Sequence, residues 1–579
     1  MPYRWVFDTE SGPEPADRME QELGVTPEIA RLLTQRGIDN FGRAKSFFRP
    51  ELSHLHDPFL MRDMEAAASR LAAAVRGGEK IMIYGDYDVD GTTATACMLL
   101  FLQEFGVDAS FYIPHRYREG YGISPEGVQE AKARGASLVV SVDCGIGAVE
   151  EAAQLAEAGI DLVICDHHTV GGPLPKAVAV LDPKRPDCSY PFDGLSGAGV
   201  AFKLIQGTLV KLGLPEHHAW TWLDLVAIST ASDIVPVVDE NRVMMREGLN
   251  RIRSEPRPGI RALLDQIGMP PEQVNGTSIL FSVGPRINAA GRMGDASMAV
   301  ELLIAKQAAE AKRVAGLLES INLKRRTTDR QTLDEATAMV ERECDLEAMH
   351  AMVLHSPGWH LGVIGIVASR LVDAYYRPVV MLSTVDGVVK GSARSIGGFN
   401  IYDALCECED LLLQYGGHEF AAGLTLEKSN LEPFRERLGR IAGEQLADRD
   451  FLPELKIDAR IELSDVNRRF WKLLSQFEPF GPGNPKPVFV SRNVRVQSGP
   501  SVVGRGHLKM KLSQDGSPPF DSIGFNMHEY LPMIREAKGE GFDIAYELEE
   551  NFWNNRRSLQ IHLKDIQSSG SDASGLARN

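Results

Sequence analysis

The chain has 579 residues, 44% of them hydrophobic and 24% charged, with a formal net charge of −17. That composition excludes a disordered or fibrous chain. The acidic balance excludes a generic basic nucleic-acid coat, although a local basic groove can sit within an acidic whole. At roughly 150 residues per domain, the length suggests three to four domains. No apolar run approaches the roughly 20 residues of a membrane helix, and residues 1–8 lack an apolar signal core. The seven cysteines are scattered, and their number is odd. These features predict a protein of the reducing cytoplasm, with no membrane association and no disulfide framework. Cys406 and Cys408 have no second pair in register, so zinc is not expected.

Residues 1–50 read as a helical lead-in, with apolar positions at Ile29, Leu32, Leu33 and Phe41. From Lys80 the pattern becomes α/β. Ile81–Tyr84 is a short apolar strand, followed by a polar turn through Gly91 and a helix from Thr92 to Phe105. Further strands are expected at residues 110–113, 138–142, 162–165 and 178–181, with helices between them. Short apolar strands alternating with helices indicate a parallel sheet covered on both faces. Helices are predicted at residues 197–214 and 220–231. Residues 296–343 hold one glycine and no proline, which predicts a long connecting helix or helix pair. A second, smaller α/β unit follows, with strands at 352–355, 379–382, 388–393 and 423–426 and helices at 362–374 and 401–414. Beyond Leu455 six short strands separated by turn signals predict a small β-barrel, and residues 568–579 read as a disordered Ser/Gly-rich tail.

Three acidic motifs stand at strand ends, where ligands bind in such sheets. The first is Asp86-Tyr87-Asp88-Val89-Asp90. Three alternate carboxylates exceed what a helix cap needs, and oxygen ligands suit Mg²⁺ or Mn²⁺. A strand before and a helix after, with no glutamate at the twelfth position, exclude an EF-hand. The second is Asp143, and the third is Asp166-His167-His168. A fourth acid, Asp233, follows a helix. Each of the last three also reads alone as a turn or loop residue. Together Asp88, Asp90, Asp143, His167 and Asp233 supply most of the six to eight ligands that a pair of divalent ions requires, with Asp86, Asp166 and His168 as direct or supporting candidates. Such a pair predicts hydrolysis of a phosphodiester or phosphoanhydride.

Asp166-His167-His168, with the Asp-rich loop and Asp143 before it, resembles the DHH phosphoesterase superfamily. Tyr415-Gly416-Gly417-His418, followed by Ala421-Ala422-Gly423, resembles the glycine-rich motif of its DHHA1 domain. Residues 284–292 and 479–485 resemble the interdomain motif and third-domain opening of the superfamily's single-strand DNA exonucleases. The resemblance runs from about Asp57 to Leu563. It implies a DHH domain at 51–295, a connecting helix at 296–343, a DHHA1 domain at 344–450 and an OB-like nucleic-acid-binding barrel at 451–567. It further implies 5′-to-3′ hydrolysis of single-stranded DNA with two Mn²⁺ or Mg²⁺ ions, in recombination and repair. The alternative is a hydrolase of short oligonucleotides or cyclic dinucleotides, which has no use for the barrel. The implied catalytic set is Asp88, Asp90, Asp143, His167, His168 and Asp233, with Asp86 joining the metal ligands. Ser392 and Arg394, with Arg292, Arg116, Gly416, Gly417 and His418, form the implied pocket for a terminal 5′-phosphate. Lys324, Arg325 and Arg326 are candidates to line a channel. Phe489, Phe525, Phe552 and Trp553 are candidates to stack on bases. A single-strand-binding protein and a RecQ-type helicase are the implied partners of a monomer.

Overall fold

A computed structural model describes residues 3–7, 13–346, 348–447, 451–537, 539–553 and 556–569. The predicted tail therefore lies outside the described residues beyond Ser569. The chain divides into two compact units: residues 1–51 with 452–579, and residues 52–451.

Strand β1 (Arg4–Phe7) is followed by α1 (Pro13–Leu23), α2 (Pro27–Thr34) and α3 (Phe41–Phe48). Asn40 caps α3 by accepting from the Arg43 backbone N–H. In the second unit, α4 (Met64–Gly77) precedes a sheet of five parallel strands. These are β2 (Ile81–Tyr84), β3 (Ala109–Tyr112), β4 (Leu138–Val142), β5 (Asp161–Cys165) and β6 (Ala179–Leu181), in the order β3-β2-β4-β5-β6. Every residue of β2 and β4 is buried, because helices cover both faces. The order reverses direction between β2 and β4, which opens a crevice at their carboxyl ends.

Helix α5 (Val89–Glu104) starts three residues earlier than Thr92, the start expected from the sequence. Asp88 is its cap and accepts from the Gly91 N–H at 3.1 Å, so Asp90 stands in the first turn rather than in a loop. Then come α6 (Pro125–Arg134), α7 (Val149–Glu157), α8 (Gly197–Leu212), α9 (Leu223–Ser232), α10 (Asp239–Ser254) and α11 (Pro258–Ile267). The short turn α12 (Gly276–Ser278) leads through a π turn at Ile279–Val283 into α13 (Gly284–Met293). The expected connecting element is a pair, α14 (Ser297–Ile304) and α15 (Ala308–Glu343). The N-terminal half of α15 packs into the core of the parallel sheet through Ala311, Val314 and Leu318, and its C-terminal end packs into a separate core through Ala336 and Val340.

That second core supports a mixed sheet, β7 (Met352–His355), β8 (Val379–Val385), β9 (Val388–Arg394), β10 (Leu412–His418) and β11 (Ala421–Glu427), in the order β10-β11-β9-β8-β7. Helix α16 (Leu361–Tyr375) packs on β8 and β9. The sequence predicts a helix through Gln414, but α17 (Ile401–Cys406) is short and Leu412 begins β10. Antiparallel pairing with β11 overrides the helix propensity of the leucine run. After α18 (Leu431–Leu446), the chain returns to the first unit.

There β12 (Glu454–Ile457) pairs with β1, and β13 (Ala459–Arg460) leads through α19 (Arg468–Leu474) into the barrel. Its strands are β14 (Phe489–Val503), β15 (His507–Ser513), β16 (Phe520–Gly524), β17 (Phe542–Trp553) and β18 (Arg556–Ser568). They pair as β14-β15-β16-β18-β17, and β17 pairs back with β14, so five strands close the ring. The three N-terminal helices share this core: Met19, Ile29, Leu32 and Leu33 are buried with Phe477 and Phe489. The Pro479–Pro485 segment is the fastening. Asn484 donates to the Phe477 and Pro479 carbonyls, and Arg36 donates to Asn484 Oδ1 at 2.8 Å.

Candidate metal centre and phosphate cleft

The loops at the carboxyl ends of β2, β4 and β5 bring Asp86, Asp143 and His167 together, and α5 and α9 add Asp88, Asp90 and Asp233. His167 Nε2 lies 3.1 Å from Asp143 and 3.6 Å from both Asp90 and Asp233. At these strand ends three groups have ligand atoms within 4.8 Å of one another: Asp86, Asp88 and Asp143; Asp90, His167 and Asp233; and Asp143, His167 and His168. Asp143 and His167 each belong to two groups; a carboxylate such as Asp143 could serve two cations, whereas a neutral imidazole serves one.

The backbone is shaped for this approach. Asp143 adopts a left-handed conformation, φ 61°, as the chain leaves β4. A Cβ on Gly197 would meet the Asp143 Cβ at 2.6 Å, and one on Gly91 would meet the Asp86 backbone nitrogen at 2.5 Å, so both positions require glycine. Asp90 is anchored at the N-terminus of α8. It accepts from Gly197 N at 2.6 Å, Ala198 N at 2.8 Å and the Ser229 hydroxyl at 2.6 Å.

The electrostatics suit a cation. Burial, and then neighbouring carboxylates, push Asp86, Asp88 and Asp143 above the usual carboxylate range. Burial, then Asp90 and Asp88, push Asp233 up to about 9. Burial pulls His167 down, leaving a neutral imidazole of the kind that ligates metals. Asp86 Oδ1 and His167 Nδ1 are buried without a hydrogen-bond partner. Buried carboxylate oxygens and one imidazole, with acceptors unsatisfied, fit hard divalent ions and not a zinc thiolate site.

Asp166 does different work from its neighbours. Its carboxylate accepts from Ile146 N, His167 N and His168 N, and it holds His168 Nδ1 at 2.8 Å. Burial opposes both charges. The pairing prevails, so Asp166 stays below and His168 rises above its ordinary value. Asp166 is therefore a positioning residue, and it belongs to none of the three groups. Tyr121 was not singled out from the sequence. Its hydroxyl lies 2.8 Å from His168 Nδ1 and donates to the Asp143 carbonyl at 3.0 Å. The available signal was an aromatic between two glycines, Gly120 and Gly122, both with positive φ. Ser229, which holds Asp90, left no such signal.

A cleft of about 510 Å³ lies in the same unit, lined by Arg116, Arg292, Ser392, Arg394, Gly416 and Gly417 among others, and no described carboxylate lines it. Arg394 donates to Ser392 Oγ at 2.9 Å. Burial, and then Arg116, pull Arg394 down and bring Arg292 to about 10. These guanidiniums crowd one another in a cleft lined by no described carboxylate, an arrangement suited to a phosphate. The Arg116 guanidinium stacks on the Tyr87 ring at 4.7 Å, next to Asp86, so cleft and cluster adjoin. His418 stands exposed at the end of β10 and is not among the cleft's lining residues. Arg325 is half-buried against Asn322, while Lys324 and Arg326 are exposed.

On the barrel, Phe489 is fully buried and packs the core instead of offering a stacking face. Phe525 is 50% exposed and flanked by His507 and His562 at ring separations of 5.1 and 5.0 Å. The side chains of Phe552 and Trp553 lie outside the described residues.

Comparison with known proteins finds three family models along the chain. Residues 80–230 match the DHH family, N-terminal domain; residues 347–444 match the DHHA1 domain; and residues 457–565 match the RecJ OB domain. A single-stranded-DNA-specific exonuclease RecJ of Salmonella typhimurium is 34% identical, over 96% of this chain and 98% of the relative. The chain belongs to the RecJ family. The RecJ of Bacillus subtilis is 40% identical over 94% of this chain and 69% of its own length. A crystal structure of RecJ in complex with Mn²⁺ from Thermus thermophilus superposes with a TM-score of 0.84 at 30% identity, covering 99% of this chain and 81% of that one.

Proposed function

We propose that this protein is a metal-dependent single-strand DNA exonuclease that releases mononucleotides from the 5′ end, in recombination and repair. The observation that carries this reading is a buried carboxylate–histidine cluster adjoining a cleft lined by Arg116, Arg292 and Arg394. Asp86, Asp88, Asp90, Asp143, His167 and Asp233 would hold two Mn²⁺ or Mg²⁺ ions. Bound there, the ions supply a hydrolytic nucleophile at neutral pH and neutralise charge on the phosphoryl group. His168, held by Asp166 and 36% exposed, presents a proton donor to a substrate oxygen. Arg116, Arg292, Ser392 and Arg394 take the terminal 5′-phosphate, with Gly416 and Gly417 admitting it close to the backbone and His418 at the rim. The parts that serve these roles are residues 51–295, 296–343, 344–450 and 451–567. The closed barrel, with Phe525 exposed on it, favours a long strand over a dinucleotide.

Among the described residues no helix is long and apolar enough to cross a membrane, and all seven cysteines are free. A cytoplasmic monomer that meets single-strand-binding protein and a RecQ-type helicase on the strand is the setting we infer; co-purification with each tests it. The decisive test of the activity is product analysis with Mn²⁺ on a 5′-labelled strand, a 3′-labelled strand and a duplex. The reading requires immediate release of labelled mononucleotide from the first, late release from the second, little from the third, and silence in EDTA. Early loss of a 3′ label would refute the polarity.

A further inference from the structure

Asp233 is the last helical-region residue after α9, and the next residue, Ile234, takes a left-handed conformation with φ 61°. Helices that end this way normally place glycine there. A β-branched residue is among the worst tolerated in that region, because its Cβ substituents crowd the backbone. Burial does not offset the strain, since Ile234 is 66% exposed while Val235 beside it is buried. Nor can the segment relax. Asp233 N donates to Ser229 O at 2.9 Å on one side, and Asn241 Nδ2 donates to Pro236 O at 2.9 Å on the other. A large apolar side chain is thus held in a costly conformation, facing solvent, one residue from a carboxylate 3.6 Å from His167. Strain of this kind concentrates at ligand-binding sites. The π turn that carries Phe281, 71% exposed, also packs against α9, with Gly284 against Ser232.

We propose that Ile234 is a substrate-positioning residue whose apolar side chain packs against a base flanking the scissile phosphate. This rests on the nuclease reading above and adds to it. Beside a scissile phosphate a nucleotide presents a sugar and a base. The surrounding carboxylates serve the phosphate through cations, whereas an exposed apolar wall serves only the base. An aliphatic contact carries no hydrogen-bond code, which suits a hydrolase that reads no sequence.

The test uses full-length protein with Mn²⁺ and three 5′-phosphorylated single strands: one intact, one abasic at the first nucleotide and one abasic at the second. The parent should show a kcat/KM roughly tenfold higher on the intact strand than on one of the abasic strands, the scale of one lost apolar contact. In Ile234→Gly that ratio should fall to within about threefold, through loss on the intact strand, while the thermal midpoint stays at or above the parent's because the strain is gone. Ile234→Leu, apolar but unbranched at Cβ, should keep the ratio. The proposal is overturned if the parent is indifferent to the missing base, if Ile234→Gly keeps the parent's ratios, or if it loses equally on all three strands. A parent that degrades none of the three removes the nuclease reading itself, a result distinct from a working nuclease that ignores Ile234.

Discussion

The carboxylate cluster and the arginine cleft are opposite solutions to one electrostatic problem. In the first, burial and mutual repulsion push Asp86, Asp143 and Asp233 upward. In the second, burial and a neighbouring guanidinium pull Arg292 and Arg394 downward. Arg116 alone of the cleft's arginines draws the cluster's Asp86 and Asp88 back down, and the upward push on both still prevails. In the function proposed, a phosphate chain with divalent ions would cancel both charges, the ions meeting the acids and a terminal phosphate the arginines. The protein stores like charge at two adjoining places, and binding of a substrate with its ions there would relieve both. It follows that removing a charge from either place should cost function without costing stability.

The strongest break in that symmetry is Asp143→Asn. Asp143 belongs to two of the three ligand groups, so turnover with Mn²⁺ should fall by roughly a thousandfold or more, several kcal/mol of transition-state stabilisation. In EDTA the same variant should unfold at or above the parent's temperature, because one member of a repelling buried set is gone. Differential scanning calorimetry alongside a strand-degradation assay reads both. A folded variant that turns over near the parent's rate would end the shared-ligand assignment.

Arg394→Ala probes the other side, with a smaller effect. Loss of a charged hydrogen-bond partner to a phosphate should cost about 1.5–3 kcal/mol, or roughly ten- to a hundredfold in the preference for a 5′-phosphorylated over a 5′-hydroxyl strand. Binding of internal segments should change little, and the metal-free thermal midpoint should not drop. An unchanged phosphate preference places the end pocket elsewhere.

What was legible beforehand follows from the same physics. Asp86, Asp143 and Asp166 stand after apolar runs, so both the parallel sheet and its acidic rim could be read from strand ends. Their division of labour could not. Asp166 looks like its neighbours in sequence, yet backbone N–H groups and His168 occupy its carboxylate. Strand β10 was hidden because Leu411-Leu412-Leu413 favours helix until pairing with β11 decides otherwise. Phe489 and Phe525 are equally aromatic, and only the barrel's closure sends one inward and leaves the other out. Residues 1–51 carry no mark of the barrel they complete, since Arg36 meets Asn484 across 448 positions of chain.

A further contrast is visible in pH. Asp233 has its value raised from 3.8 to about 9 in the folded protein. A group raised by folding contributes stability that is whole below its unfolded value and is lost as pH rises through the folded one. Asp86 and Asp143 act in the same direction. His167, lowered by burial, acts the other way and only below its ordinary 6.5. From pH 7 to 9 the metal-free protein should therefore lose thermal stability steadily. Saturating Mn²⁺, which holds the carboxylates ionised, should flatten that slope. Equal slopes with and without the ion would contradict the cluster's role.

The smallest expected effect is also the most local. Tyr121 touches neither proposed ligand carboxylate through its side chain; its hydroxyl meets His168 Nδ1 and the Asp143 carbonyl. Half of its surface is exposed, so Tyr121→Phe should leave the fold unchanged. It removes two hydrogen bonds, and the one that positions His168, worth about 0.5–1.5 kcal/mol, corresponds to roughly three- to tenfold in rate. The loss should fall on kcat, with the metal requirement unchanged, because His168 is displaced while His167 and the carboxylates keep their places. Asp166 still holds His168 at 2.8 Å, which is why the loss stays small. Asp166→Asn on the Tyr121→Phe background should then cost more than the product of the two single losses, since each partner compensates for the other's absence. A double variant with strictly multiplicative losses would show that Tyr121 and Asp166 do not act on the same histidine.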